Sequence, residues 1–308
     1  MATSGTLDGQ LILAKFVTEL DDTKFSPHAR SITARNPSRP YSDRGGSVLD
    51  EVRGAPRCPS CYDLVMCGRY VSPDEAAIER EFNLVHQEWQ FPPSFNVAPT
   101  QHVPILREIS GERRGSTVRW GLIPFFAKGE PPKYSTINAR IESVETAASY
   151  RGPWQRGQRC LQFAIGFYEW HVNAEGRKAP YHIYLNDQPV FAFAALWERS
   201  IKRDGAVVES CVHITMPANS LMREIHNGGG NPHRMPAILM REDVDIWLKG
   251  SVDEARAVLR PYEANLMVAY EVGSAVNSPK NNDALLLRPV GIPSDEKILI
   301  GEYANHGS

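Results

Sequence analysis

The stretch Cys160-Leu161-Gln162-Phe163-Ala164-Ile165-Gly166-Phe167-Tyr168-Glu169-Trp170 decides the fold class. It is apolar and aromatic, carries no charge before Glu169, and follows a charged residue, Arg159. Such a run reads as extended chain bound for a sheet. Shorter runs of the same kind lie on either side: Val103 to Leu106, Thr117 to Leu122, Tyr181 to Leu185, Phe191 to Trp197, Cys211 to Thr215 and Ala237 to Met240. Each is bounded by Gly, Pro, Asn or charged residues, the usual punctuation between strands. Helix signals are fewer. Ser72-Pro73-Asp74-Glu75 reads as a capping box with Pro at the first helical position, and Ala77, Ile78 and Phe82 follow at helical spacing, so a helix of about ten residues is expected there. Ser251-Val252-Asp253-Glu254 repeats the start signal, and Ser220 to Ile225 forms a short helical stretch. Strands outnumber helices and do not alternate with them. The expected class is therefore α+β, a mainly antiparallel, barrel-like β core with flanking short helices.

The charge balance bounds the function. With a formal net charge of -2, the chain has no polybasic tail, so any contact with nucleic acid must come from a local basic groove. Five cysteines (Cys58, Cys61, Cys67, Cys160, Cys211) are too few and scattered for a secreted disulfide framework. The run Leu11-Ile12-Leu13-Ala14 is interrupted at once by Lys15, and no basic region precedes it. No signal peptide or membrane span is expected, and a cytoplasmic setting is inferred, nucleoid-associated in a bacterium. Residues 1–65 are polar, lack periodicity and carry few aromatics, the composition of a disordered or non-native extension. Cys58-Pro59-Ser60-Cys61 is half of a zinc site with no second half, so no metal is expected. No Gly-rich phosphate loop appears, and neither a nucleotide nor another cofactor is expected. The main domain is expected over residues 66–292, with a tail over 293–308.

Several polar residues stand where chemistry is plausible. Cys67 follows Met66 and precedes Gly68. In a chain started at Met66, removal of the initiator would leave Cys67 with a thiol and a free α-amine. Such an amine is substantially neutral near physiological pH and forms a Schiff base with an aldehyde, on which the thiol can close a thiazolidine ring. The structural alternative is a small buried cysteine at the start of a strand. Asn138 and Arg140 are two apart, so in extended chain both point to one face. Glu169 sits among aromatics, where burial raises a carboxyl toward the range useful for proton transfer. It could equally cap a neighbouring backbone. His226 ends the short helical stretch ahead of Gly228-Gly229-Gly230, and a structural role is open for it too.

In order, Met66-Cys67-Gly68-Arg69-Tyr70, Phe95-Asn96-Val97-Ala98-Pro99, Arg119-Trp120-Gly121-Leu122-Ile123-Pro124, Ile137-Asn138-Ala139-Arg140-Ile141-Glu142, Arg159-Cys160-Leu161, Gly166-Phe167-Tyr168-Glu169-Trp170, and Ile225-His226 with Arg234-Met235-Pro236 resemble the SRAP family, the SOS-response-associated peptidase domain of abasic-site processing proteins. The resemblance covers nearly all of residues 66 to 292. It implies a protein that senses abasic sites in single-stranded DNA, captures them covalently through Cys67 and shields the lesion, with lyase and self-processing activity through the same groups. It also implies roles. Cys67 is the nucleophile, Asn138 holds its amine or the sugar, Glu169 steers protons, and His226 opens the sugar ring. Arg69, Arg140 and Arg151 contact phosphates, while Trp120 with Phe125 or Phe126 forms a wedge or stacking surface. A monomer is expected.

This chain departs from the pattern twice. Asn227 to His233 lengthen the link between the histidine and Met-Pro, which makes His233 a rival for the catalytic imidazole, although the Ile-His context favours His226. Sixty-five residues precede Met66, whereas the chemistry needs a free N-terminal cysteine. Translation from Met66, the extension being an over-long reading of the gene, is the expected resolution, with self-processing second. Two other functions compete: a cysteine peptidase with a Cys67/His226 pair, and a non-catalytic single-strand binding module.

Overall fold

The structure, a computed structural model, describes residues 67–292 apart from positions 86 and 88. The expected extension over 1–65, its Cys58–Cys61 pair, Met66 and the tail over 293–308 lie outside the described residues.

Five strands close a barrel: β3 (His102–Ile109), β4 (Glu112–Trp120), β6 (Arg159–Ala164), β9 (Phe191–Ile201) and β10 (Val207–Pro217). Around the ring the order is β10-β4-β3-β6-β9, and β9 pairs back onto β10. Closure leaves no unpaired sheet edge in the ring. Short strands β5 (Asn138–Arg140) and β11 (Arg234–Pro236) lengthen the sheet beside β10. All barrel pairs are antiparallel except β10 against β4, and β5 also runs parallel to β10. The second sheet has the order β12-β8-β7-β1-β2, from β1 (Arg69–Ser72), β2 (Ser94–Val97), β7 (Gly166–Val172), β8 (Lys178–Leu185) and β12 (Met267–Glu271), all antiparallel.

Local sequence explains the tightest turn. Ser110 and Gly111 join β3 to β4, with φ of 54° and 83°. Both central residues lie in the left-handed region, which matches the twist of the flanking strands in a two-residue hairpin. Among the described residues five short α-helices flank the sheets: α1 (Glu75–Glu81), α2 (Arg151–Gln155), α3 (Ser220–Ile225), α4 (Val244–Lys249) and α5 (Val252–Ala257). The α+β, barrel-like class read from the pattern is the class observed. The Ser251 capping box is formed as expected, by Ser251 and Glu254.

Several local expectations are corrected. Ser72 does not cap α1. It ends β1, its hydroxyl bonds Pro73 O, and Asp74 caps the helix by accepting the Ala77 N–H at 2.7 Å. α1 ends at seven residues rather than about ten: Phe82 is its C-cap and Asn83 beyond it takes φ 54°, the left-handed conformation that closes a helix. The strand read from Thr117 to Leu122 stops at Trp120, because Gly121 takes φ 112° and turns the chain. Ala237 to Met240 is not a strand; only Ile238 makes an isolated bridge, to Phe193. Most consequential, the run Cys160 to Trp170 is two strands. β6 is buried in the barrel and β7 belongs to the second sheet, with the change at Ile165-Gly166. A Cβ at Gly166 would come within 2.1 Å of His182 Nε2, so only glycine allows β7 to lie this close to β8.

The core fills the barrel and the gap between sheets. Trp120, Trp154, Phe163, Phe191 and Phe193 are essentially inaccessible, and each such side chain contributes about 1.5–3 kcal/mol by leaving water. The break at Gly166 gives β7 its function: it is anchored through β6 in the barrel, yet lies beside β1, the strand that comes after Cys67.

Candidate active site

Cys67 lies one turn ahead of β1 and is 4% exposed. Its φ is 48°, a conformation that costs a non-glycine residue roughly 1–3 kcal/mol and persists only where the surroundings impose it. Here the Cys67 N–H donates to Glu169 Oε1 at 2.7 Å. Glu169 comes from the middle of β7 and is 2% exposed. Its second oxygen lies 4.0 Å from His226 Nε2. His226 follows the last residue of α3, donates its own N–H to Met222 O, and accepts the Arg234 N–H on Nδ1 at 3.2 Å. An Nδ1 that accepts must be unprotonated, so the neutral ring carries its proton on Nε2, the nitrogen facing Glu169. Cys67 N, the Glu169 carboxyl and the His226 imidazole are thus neighbours, the first two joined by a hydrogen bond and the last two 4.0 Å apart.

Burial dominates the electrostatics. It pushes Glu169 above the usual carboxyl range, with His226 and the Cys67 donor pulling the other way. It also pushes the Cys67 thiol well up, reinforced by the Glu169 charge and hydrogen bond, while Arg234 opposes. Burial therefore favours the thiol over the thiolate at Cys67 and the protonated over the ionised form at Glu169.

Arg234 is a site residue whose role the sequence motif alone does not disclose. Its guanidinium grips Glu142 at 2.5 and 2.8 Å and Thr215 O at 2.8 Å, while its main chain fixes the His226 tautomer. The hydrogen bond from Arg234 holds the Glu142 carboxyl below its ordinary range. The signal was available in Arg234-Met235-Pro236 after His226. Trp170 likewise gained no role from the sequence. It adjoins Glu169, is half-buried, and donates from Nε1 to Asn277 Oδ1 at 2.8 Å.

The remaining expected residues divide. Asn138 and Arg140 lie on β5 beside β10, with Asn138 half-buried and Arg140 exposed and bonded to Asn231 of the long loop. Arg151 opens α2 and is exposed; Phe125 and Phe126 are 57% and 48% exposed and meet edge to face. Trp120 is a correction. It is 0% exposed, donates to Ile137 O and packs on Tyr70 and His213, so its ring is core and offers no face to a base. Arg69 is a correction of degree. Its guanidinium is spent on Asn96 Oδ1, Val276 O and Asn277 O at 2.9–3.1 Å, tying β1 to the 274–277 turn. His233 is exposed, with Nδ1 at 3.0 Å from Arg223 O, so the structure brings His226 and not His233 to Glu169.

Comparison with known proteins supplies the family. The model of the family described as SOS response associated peptidase (SRAP) matches residues 66–279. The chain belongs to the SRAP family. Among curated relatives of this SRAP chain, the abasic site processing protein YoaM of Bacillus subtilis is 38% identical over 229 residues, covering 72% of this chain and 97% of the relative. The abasic site processing protein HMCES of Gallus gallus is 29% identical over 259 residues, 72% of this chain and 74% of the relative. A crystal structure of a protein from Bacteroides thetaiotaomicron superposes with a TM-score of 0.62 at 27% identity, covering 72% of this chain and 99% of that one. Among the described residues no helix is long and apolar enough to cross a membrane.

Proposed function

We propose that this SRAP protein processes abasic sites, as its curated relatives are named for doing, and that it captures them in single-stranded DNA by covalent bonding to Cys67. The observation that carries the reading is Cys67 N at 2.7 Å from Glu169 Oε1 with His226 Nε2 at 4.0 Å from the other oxygen. The ring-opened sugar of an abasic site presents an aldehyde at C1′. The α-amine of Cys67 adds to it to give a carbinolamine, which loses water to form a Schiff base. The Cys67 thiol then adds across the C=N bond: sulfur bonds to C1′, the thiol proton ends on nitrogen, and a thiazolidine results. One water is released, and no oxidant or reductant is needed.

Each residue has a task in this sequence. Glu169 takes a proton from the ammonium form of the amine and returns one to the departing hydroxyl, which suits an acid raised by burial. His226, with its proton on Nε2, assists ring opening of the sugar. Asn138 holds the amine or the sugar by hydrogen bonds. Arg140 and Arg151, both exposed, contact phosphates, and Phe125 with Phe126 offers stacking faces. These contacts suit a strand read by backbone and π-face rather than by sequence. The same Schiff base would permit strand cleavage by elimination.

The chemistry requires Cys67 N to be an amine, which the amide to Met66 is not. The working form therefore begins at Cys67, and the family match starting at Met66 supports that boundary. A peptidase pair of Cys67 and His226 is less well supported: the His226 ring faces Glu169, and burial keeps the thiol protonated. Incubation with abasic single-stranded DNA, then denaturing electrophoresis, tests the function. A shifted band lost in Cys67→Ala, with undamaged strands still bound, is the expected result. An adduct of normal yield with Cys67→Ala would refute it. Intact mass of protein made from its native promoter should give a chain starting at Cys67; a sole species carrying residues 1–66 that still crosslinks refutes the amine requirement.

A further inference from the structure

Main-chain groups along a strand alternate between its two neighbours. Asn173 N–H donates to Arg177 O and closes the β7–β8 hairpin. With Val172 opposite Lys178 and Trp170 opposite Pro180, the N–H and C=O groups of Tyr168, Trp170 and Val172 face the β1 side. There β1 pairs only from Arg69, opposite Tyr168. Past that point side chains occupy the edge of β7. The Trp170 main chain interacts with the Glu169 carboxyl. Val172 N–H donates to Asn227 Oδ1 at 2.8 Å, and Asn227 Nδ2 donates back to Val172 O at 2.9 Å. The Asn227 carboxamide thus pairs with Val172 as a strand residue would. Gly228 lies flat on the same residue: a Cβ there would come within 2.4 Å of Val172 Cγ2. One residue earlier, His171 Nδ1 lies 3.0 Å from Glu224 O in α3. The end of α3, with His226, is therefore clamped to β7 three residues beyond Glu169.

The clamp stands between His226 and a loose loop. Gly228-Gly229-Gly230 is the most conformationally free backbone in the region, and an anchor at Asn227 isolates His226 from it. We propose that Asn227 is a positioning residue, whose paired hydrogen bonds to Val172 set the His226 imidazole against Glu169. The inference rests on the proposed capture chemistry for its rate readout, but not for its spectroscopic one.

The test compares Asn227→Ala, which loses both bonds, with Asn227→Asp, which keeps the acceptor and sets a carboxylate against Val172 O. The protein is used as isolated from its expression host. At saturating abasic strand, Asn227→Ala should slow covalent capture by roughly 10- to 100-fold, the usual result of displacing a reacting group by about an ångström. Affinity for undamaged strands should stay within about twofold of wild type, and Asn227→Asp should fall between. Placed in a His226→Ala background, Asn227→Ala should add no further loss, because it acts only through the imidazole. In NMR spectra the His226 ring resonances should move in Asn227→Ala while those of His182 and His213 stay. Wild-type capture rate and unmoved His226 resonances would overturn the proposal, as would losses that multiply in the double variant. Failure of the wild-type protein to capture abasic DNA would overturn the function instead, leaving the ring resonances to decide the positioning role. If Asn227→Ala fails to fold, Asn227→Asp carries the same comparisons.

Discussion

Glu169→Gln separates catalysis from stability at the centre of the site. The substitution keeps shape and one acceptor oxygen for the Cys67 N–H, but the amide can neither take nor return a proton. Capture of abasic DNA should slow by roughly 10²–10⁴, the range for a lost acid/base group. Stability should move the other way. Burial raises the Glu169 carboxyl above its ordinary 4.5, outweighing His226 and the Cys67 donor. In the full chain, where Cys67 N is an amide, the folded state therefore binds this proton more tightly than the unfolded state. As pH rises from 4.5 toward the raised value, the unfolded chain releases its proton first, and folding loses about 1.4 kcal/mol per pH unit. Glutamine has no such loss. Against it stands about 1 kcal/mol from exchanging a charged for a neutral acceptor at Cys67 N. Scanning calorimetry at pH 5 and pH 8 should show Glu169→Gln gaining on wild type as pH rises, each kcal/mol being worth about 2–4 °C in a domain of this size. Slower capture together with an advantage that grows with pH is the expected pair. Capture at wild-type rate, or an advantage that shrinks as pH rises, refutes the reasoning.

The same geometry sets other outcomes. Arg140→Ala should flatten the log–log salt dependence of single-strand binding by about 0.7, one phosphate contact, whereas Arg69→Ala should leave that slope unchanged and lower the melting temperature, since its three hydrogen bonds are internal. Equal loss of slope in both would put Arg69 back on the DNA path. His226→Ala should slow capture by roughly 10²–10⁴ and His233→Ala should not; single-turnover rates with the abasic strand decide, and the reverse ranking would move the role to the long loop. Burial pushes His182 and His213 down to about 3, so below the ordinary 6.5 the unfolded chain gains protons that the folded chain refuses. Stability should fall by about 1.4 kcal/mol per pH unit for each ring, approaching about 4 kcal/mol for the pair at pH 5. The difference between wild type and His213→Leu in urea titrations from pH 7 to 5 reads one ring's share, since the opposing Glu169 effect is common to both; a slope undiminished in His213→Leu would remove that ring from the account.

The residues legible in the sequence were those whose chemistry is unusual for their local context. A carboxyl among aromatics at Glu169 and a cysteine before a glycine at Cys67 stand out without any knowledge of packing, and the antiparallel pairing of β1 with β7 then brings them together. What could not be read is what depends on partners far along the chain. Trp120, flanked by Arg119 and Gly121, resembles a surface aromatic; only the closing of β10 onto β4 and the stacking of Tyr70 and His213 make it core. Arg69 resembles a phosphate ligand until the 274–277 turn, more than 200 residues away, takes its guanidinium. Arg234 and Glu142 are 92 residues apart, and neither predicts the other. The same logic explains the break at Gly166. Along Cys160 to Trp170 the apolar pattern is continuous, so periodicity reports one strand, and the change of sheet is decided by His182 pressing on the one residue without a Cβ. That change is also what makes the site workable. A single straight strand would have carried Glu169 along the barrel wall, away from β1. Turning at Gly166 delivers its carboxyl to the nitrogen of Cys67 and leaves the outer edge of β7 for Asn227, so the element that hides the fold's most ambiguous join is the one that brings the Glu169 carboxyl beside Cys67 and the His226 imidazole.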